Sequence, residues 1–163
     1  MKHLVVIAAT AMLAVCGFGP AAASAPLQGT VTEVYDGDTV LLNPVSGAAF
    51  QVRLTGIDAP ETCQPWGPEA KAALRDWVLD RIVLITPAGR AEKGRINGTL
   101  VLEGANINRR MVEEGHAWSA RVRWDQGPFV KQERMAKSLG RGLHGQTGAV
   151  MPSDFRRTHR PCG

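Results

Sequence analysis

Three features of the sequence predict an α+β chain built around a small closed β-barrel. Segments rich in β-branched or alternating apolar residues fill the first half. One helical periodicity interrupts them, and two more helical segments follow the last strand. The third feature is size: 163 residues, 44% apolar and 21% charged, suit one domain with one core and do not suit a disordered chain. The order of three strands, helix, two strands, two helices fits a five-stranded barrel of OB type with about three helices packed against it. Eighteen Gly and ten Pro agree with many turns and short elements.

The segment 27–34 is rich in β-branched residues, and 39–42 continues after Asp36-Gly37, a turn signal. A loop is expected at 43–47. Phe50, Val52 and Leu54 then alternate with Gln51, Arg53 and Thr55, a period of two that sends the apolar set inward and Arg53 outward. Pro68 suits the first position of a helix whose Ala70, Ala73, Leu74, Trp77 and Val78 form one apolar stripe. Strands are expected at 81–87 and 99–102. Asn106 caps a short helix ending near Gly115. Pro128 opens a third helix, with Phe129, Met135, Ala136 and Leu139 as its expected buried residues and Gly140 and Gly142 as its end.

The two ends read differently. A positive start, a short apolar run to Val15 and Ala21-Ala22-Ala23 predict a secretory signal peptide over 1–23. Val15 before Cys16 is the wrong residue for a lipid-modification site. The domain proper is expected at 24–145, and 146–163 as a loose basic tail. Removing Cys16 with the leader leaves Cys63 and Cys162, for which a single disulfide in an oxidising compartment is the expectation and two free thiols the alternative. No later segment is apolar enough to cross a membrane, so no stable membrane association is expected. A secreted or periplasmic monomer is the default.

Charge divides the mature chain. Residues 24–108 carry 7 basic and 10 acidic side chains, and residues 109–163 carry 11 basic and 5 acidic. An acidic half and a basic half suit a site that holds a cation and then a polyanion. Taken singly, the candidate residues are bland. Asp36-Gly37 is a common hairpin dipeptide, Asp58 and Glu61 resemble solvated loop charges, and Arg53 could be a surface ion-pair partner. Together they make a hard, oxygen-only donor set beside two arginines, Arg53 and Arg95. That set suits Ca²⁺ or Mg²⁺ rather than Zn²⁺, and two guanidinium forks can clamp a phosphate. His116 and His144 have no partner at metal-ligand spacing and read as structural. Trp77 and Trp118 read as core, while Trp66 and Trp124 could stack on bases or pack in a groove wall.

Between residues 30 and 144 the sequence resembles the thermonuclease (micrococcal nuclease-like) family. The resemblance rests on DGDT at 36–39, VRLTGIDAPET at 52–62, WGPEA at 66–70, GR at 94–95, IN..MVEEGHAW at 107–118 and ERMAKSLGRGLHG at 133–145. It implies a five-stranded OB barrel with three helices and a secreted, calcium-dependent nuclease acting on DNA and RNA, with single-stranded or denatured substrate preferred. It further implies Asp38, Asp58 and the Ala59 carbonyl as calcium ligands. Glu61 would position or deprotonate the attacking water, and Arg53 and Arg95 would clamp the phosphate. Lys93, Arg121 and Arg123 stand where relatives place aromatic residues around the nucleotide, which implies substrate binding through the phosphate backbone. His144 also stands where an aromatic residue is usual. The competing readings are a non-catalytic OB-type nucleic-acid-binding module of the cell envelope and an envelope protein using the barrel for peptide or glycan. Neither needs Glu61 beside Arg53 and Arg95.

Overall fold

A computed structural model describes residues 25–89, 94–122 and 124–162. The expected signal peptide, Lys93 and Arg123 lie outside the described residues. Five strands form the barrel: β1 (Leu27–Val34), β2 (Thr39–Pro44), β3 (Phe50–Leu54), β5 (Ile82–Pro87) and β6 (Arg95–Leu102). They run in the order β3-β2-β1-β5-β6, and a parallel pairing of β3 with β6 closes the cylinder. Val31, Val40, Leu42, Val52, Leu54, Val83, Ile85 and Leu100 fill its interior. Alternation decides which residues those are: Val52 and Leu54 are buried, whereas Gln51 and Arg53 are only partly covered. The same rule explains β5, an apolar run in sequence, where Val83 and Ile85 point inward and Ile82 and Leu84 outward.

Helix α1 (Gly67–Val78) lays Ala70, Leu74 and Val78 on the barrel, as its stripe predicts. A two-residue strand β7 (Ala105–Asn106) leads into α2 (Ile107–Glu113), where the Asn106 side chain accepts from the Arg109 N–H. Asn108, on the first turn of α2, is fully buried. Its Oδ1 accepts from the Leu100 N–H at 3.0 Å, and its Nδ2 donates to the Thr55 carbonyl at 2.9 Å and the Gly98 carbonyl at 3.1 Å. This amide ties β6 to the turn after β3. Asn108→Ala takes the partner from the buried Leu100 N–H and the part-buried Thr55 carbonyl, while the Gly98 carbonyl keeps the Thr55 N–H, so it is expected to lower unfolding free energy by roughly 3 kcal/mol in a urea titration. An unchanged midpoint would show that the latch is dispensable.

Two expectations need correction. Helix α3 (Val130–Ser138) begins at Val130 rather than Pro128, and it does not bury Met135 or Leu139, which are 61% and 60% exposed. It buries Ala136, as expected, and Glu133, which was not expected. Glu133 reaches inward because it finds charge there: Arg121, Lys137 and the Ser119 N–H all donate to its carboxylate. Ser119 belongs to β8 (Trp118–Ser119), which pairs with β4 (Ile57–Asp58) in a separate two-stranded ribbon.

The second correction concerns the tail. After a 3₁₀ turn at Gly142–Gly145, residues Pro152–Thr158 form a fourth helix, α4. Cys63 and Cys162 are joined in a disulfide. The Gln64 amide donates to the Val150 carbonyl at 2.6 Å. Both contacts fasten the tail to the loop between β4 and α1.

His144 fills an aromatic role, meeting Trp118 edge-on at 4.7 Å between ring centroids. Burial, together with the charges of Lys137 and Arg121, pushes its imidazole down to about 4, with Glu133 opposing. Its Nε2 is the one buried side-chain polar atom without a partner among the described residues. Above pH ~6.5 the ring is neutral folded or unfolded. Between that value and about 4 only the unfolded chain takes up the proton, so stability falls as pH falls through this window. His144→Phe is expected to flatten this acid limb. Urea midpoints at pH 7 and pH 4.5 check it, and parallel limbs in wild type and variant would contradict it.

Candidate active site

The site is built where β2, β3 and β4 meet at one end of the barrel. Asp38 immediately precedes β2, at the end of a tight turn in which its own N–H donates to Asp36 Oδ1 at 2.8 Å. Gly37 is required there by packing rather than by backbone angle. A Cβ at this position would lie 2.7 Å from the Ala59 Cβ and 2.9 Å from the Ala70 Cβ, so only glycine lets the turn sit against α1 and the β4 loop.

Arg53 joins the two aspartates. Its Nη1 donates to Asp38 Oδ1 at 2.8 Å and its Nη2 to Asp58 Oδ1 at 3.3 Å, with about a third of the side chain left open to solvent. Thr39 Oγ1 and the Ala59 N–H complete the acceptor side of Asp38. Asp38 is buried, and that burial, opposed by Arg53, pushes its carboxyl up to about 7.

Glu61 follows β4 by three residues. Its N–H donates to Gln64 Oε1, and its carbonyl accepts from the Gln64 N–H. The loop closes tightly on Gly67, where a Cβ would lie 1.9 Å from the Glu61 carbonyl oxygen. Gln64, absent from the sequence-based candidates, is the buried residue that shapes this loop.

Arg95 starts β6, is exposed, and pairs in register with Gln51. Gln51 and Arg53 point the same way on β3, so Arg95 and Arg53 share the outer face of the closing strand pair. Arg121 has a different setting. It donates to Glu133 and approaches Met151 Sδ at 3.0 Å, which makes it a counter-ion to a buried carboxylate. Arg121→Tyr would therefore disturb the α3 anchor as well as any substrate contact. Trp66 is packed against His116, donating from Nε1 to Nδ1 at 3.2 Å, and Trp77 meets the same ring edge-on. Trp124 is 97% exposed.

The sequence did not point to Arg156, on α4. Its Nη1 and Nη2 reach both carboxylate oxygens of Asp58, each at 3.1 Å, and Nη1 also donates to Glu61 Oε1 at 2.7 Å. These bonds, those to Asp58 foremost, raise its proton affinity above the ordinary arginine value.

The staphylococcal nuclease homologue family matches residues 51–145, more than half of the sequence. The chain belongs to this family. The match includes Arg53, Asp58, Glu61 and Arg95, starts after Asp38 and stops before α4. Among individual proteins, an "Uncharacterized endonuclease" of Escherichia coli is 37% identical over 81% of this chain and 86% of its own length. An "Uncharacterized endonuclease" of Haemophilus influenzae is 29% identical over 80% of this chain and 73% of its own. A "Probable staphylococcal-like nuclease" of Oryza sativa subsp. japonica is 33% identical over 68% of this chain, which spans only 30% of that longer protein. The OB-type barrel expected for the family is the barrel described above.

A staphylococcal nuclease homologue of calcium-dependent type needs a place for the ion. Among the described residues no three acidic, His or Cys side chains converge on one point. What is present is an oxygen-only pair, Asp38 and Asp58, with the Ala59 backbone between them and Glu61. Among the described ion pairs, three carboxylates, Asp38, Asp58 and Glu61, are met by two arginines, Arg53 and Arg156. Hard oxygen donors with excess negative charge suit a hard divalent cation.

Proposed function

We propose that the mature chain is a secreted or periplasmic, monomeric nuclease that hydrolyses phosphodiester bonds in DNA and RNA with Ca²⁺, preferring single-stranded or denatured substrate. The observation that carries this reading is the fork of Arg53 across Asp38 and Asp58, with Glu61 three residues further on. Asp38, Asp58 and the Ala59 carbonyl would hold the ion, which supplies positive charge to the phosphate under attack.

The protein's own groups do the rest. Glu61 aligns a water molecule and takes its proton as oxygen attacks phosphorus. A new P–O bond forms, the P–O ester bond opposite breaks, the leaving oxygen takes a proton from solvent, and an alcohol and a phosphomonoester result. Arg53 and Arg95 donate to the non-bridging oxygens as charge accumulates on them, and both stand on the same outer face to do so. The exposed basic residues of the second half attract the remaining backbone. Lys93, Arg121 and Arg123 contribute to that attraction in this reading, which makes binding steeply salt-dependent and weakly dependent on base identity.

Incubation of the purified mature protein with denatured DNA, RNA and duplex DNA in Ca²⁺ tests the substrate class. Cleavage of the first two ahead of duplex is expected. Tight binding of all three with no cleavage would favour the non-catalytic nucleic-acid-binding module.

A further inference from the structure

Arg156 lies outside the segment matched by the family, yet it touches both Asp58 and Glu61. We infer that Arg156 is a tethered cation that takes the place of the metal ion, so that α4 is a strap holding the site shut until Ca²⁺ displaces it. This rests on the calcium-site reading given above.

The contacts make occupancy mutually exclusive. Both oxygens of Asp58 accept from the Arg156 guanidinium, and Glu61 Oε1 accepts from it as well. An aspartate whose oxygens are both engaged has to release the guanidinium before it ligates an ion. The 2.7 Å charged hydrogen bond holds Glu61 Oε1 against the guanidinium and leaves only Oε2 to turn toward a water molecule. A divalent cation beside the same two carboxylates would also repel Arg156. Net charge points the same way. Among the described residues, Asp38, Asp58 and Glu61 keep only Arg53 as an ion-pair partner once Arg156 leaves, and the excess negative charge then favours a metal ion.

The strap is built to be held by few points. Helix α4 has seven residues, and Pro152 is its one buried residue. Beneath it a cavity of about 260 Å³ separates Phe155 and His159 from Trp66, Trp118 and Leu143. Such a helix gains little from packing. Its position depends on the Gln64–Val150 hydrogen bond, the Arg156 contacts and the Cys63–Cys162 disulfide, whose first cysteine lies two residues past Glu61. The disulfide keeps Arg156 at high effective concentration over the carboxylates. Reduction would lower that concentration, so the thiol–disulfide state and the calcium level would act on the same equilibrium.

Calcium titration calorimetry on the full mature chain, without substrate, tests this. If the open site is populated about one time in ten, Arg156→Gln should bind Ca²⁺ about tenfold more tightly than the oxidised wild type. Cys162→Ser should move affinity in the same direction by a smaller factor. Arg157→Gln, whose arginine pairs with Asp154 on its own helix, should match wild type. Cleavage by Arg156→Gln should exceed wild type at low calcium and converge with it at high calcium. Equal or weaker calcium affinity in Arg156→Gln, no calcium binding in either chain, or an equal gain in Arg157→Gln would overturn the inference. Unchanged affinity in Cys162→Ser would overturn the role of the tether. Calcium binding that follows this pattern without any cleavage would instead overturn the nuclease reading.

Discussion

Arg53→Lys is expected to lower kcat by about two to three orders of magnitude while the barrel stays folded. Lysine keeps a positive charge beside Asp38, so the buried carboxylate keeps a counter-ion. What it loses is the fork: one ammonium cannot hold Asp38 and Asp58 together and still present a second donor to phosphate. Arg53→Ala should cost stability as well. It leaves Asp38, already pushed up to about 7, with no opposing charge. The ion pair to a buried aspartate gives Arg53 a part in stability as well as in phosphate binding. Single-turnover cleavage of a labelled oligonucleotide alongside urea unfolding separates the two variants. Near-normal kcat in Arg53→Lys would remove Arg53 from the clamp.

Glu61→Gln should lower kcat by roughly two to four orders of magnitude, the range for loss of a positioned general base. Glutamine keeps the volume and can still accept from Arg156, and the loop around it is fixed by main-chain bonds to Gln64 and by the close approach to Gly67. The fold is therefore expected to hold, and single-turnover rates at saturating Ca²⁺ separate proton transfer from any change in calcium affinity. A drop of less than tenfold would leave the water to some other group.

Most of the barrel was legible because burial on a strand follows alternation, and Val52 and Leu54 against Arg53 is a clear instance. The Asn106 cap and the α1 stripe were equally local signals. The reading of α3 failed because apolar residues were assumed to point inward. Glu133 outcompetes Met135 and Leu139 for the interior through Arg121, Lys137 and the Ser119 N–H, partners the local pattern does not reveal. The tail was missed for a related reason. Pro152 followed by Asp154 was a helix-start signal, but what orders α4 comes from far away in sequence: Cys63 is 99 residues from Cys162, and Asp58 is 98 from Arg156. Gln64 was passed over because a glutamine in a polar loop carries no signal of burial. Asp38, Arg53, Asp58 and Glu61 were found as residue types at a specific spacing. That Arg53 bridges the two aspartates, and that Arg156 closes on the second, required the fold.

The most direct measurement of the central claim is cleavage of denatured DNA by the purified mature protein, with Ca²⁺, with excess chelator, and with Ca²⁺ restored. Cleavage that stops with chelator and returns with the ion is the predicted result. Undiminished cleavage in excess chelator would contradict the assignment of Asp38 and Asp58 to a metal ion.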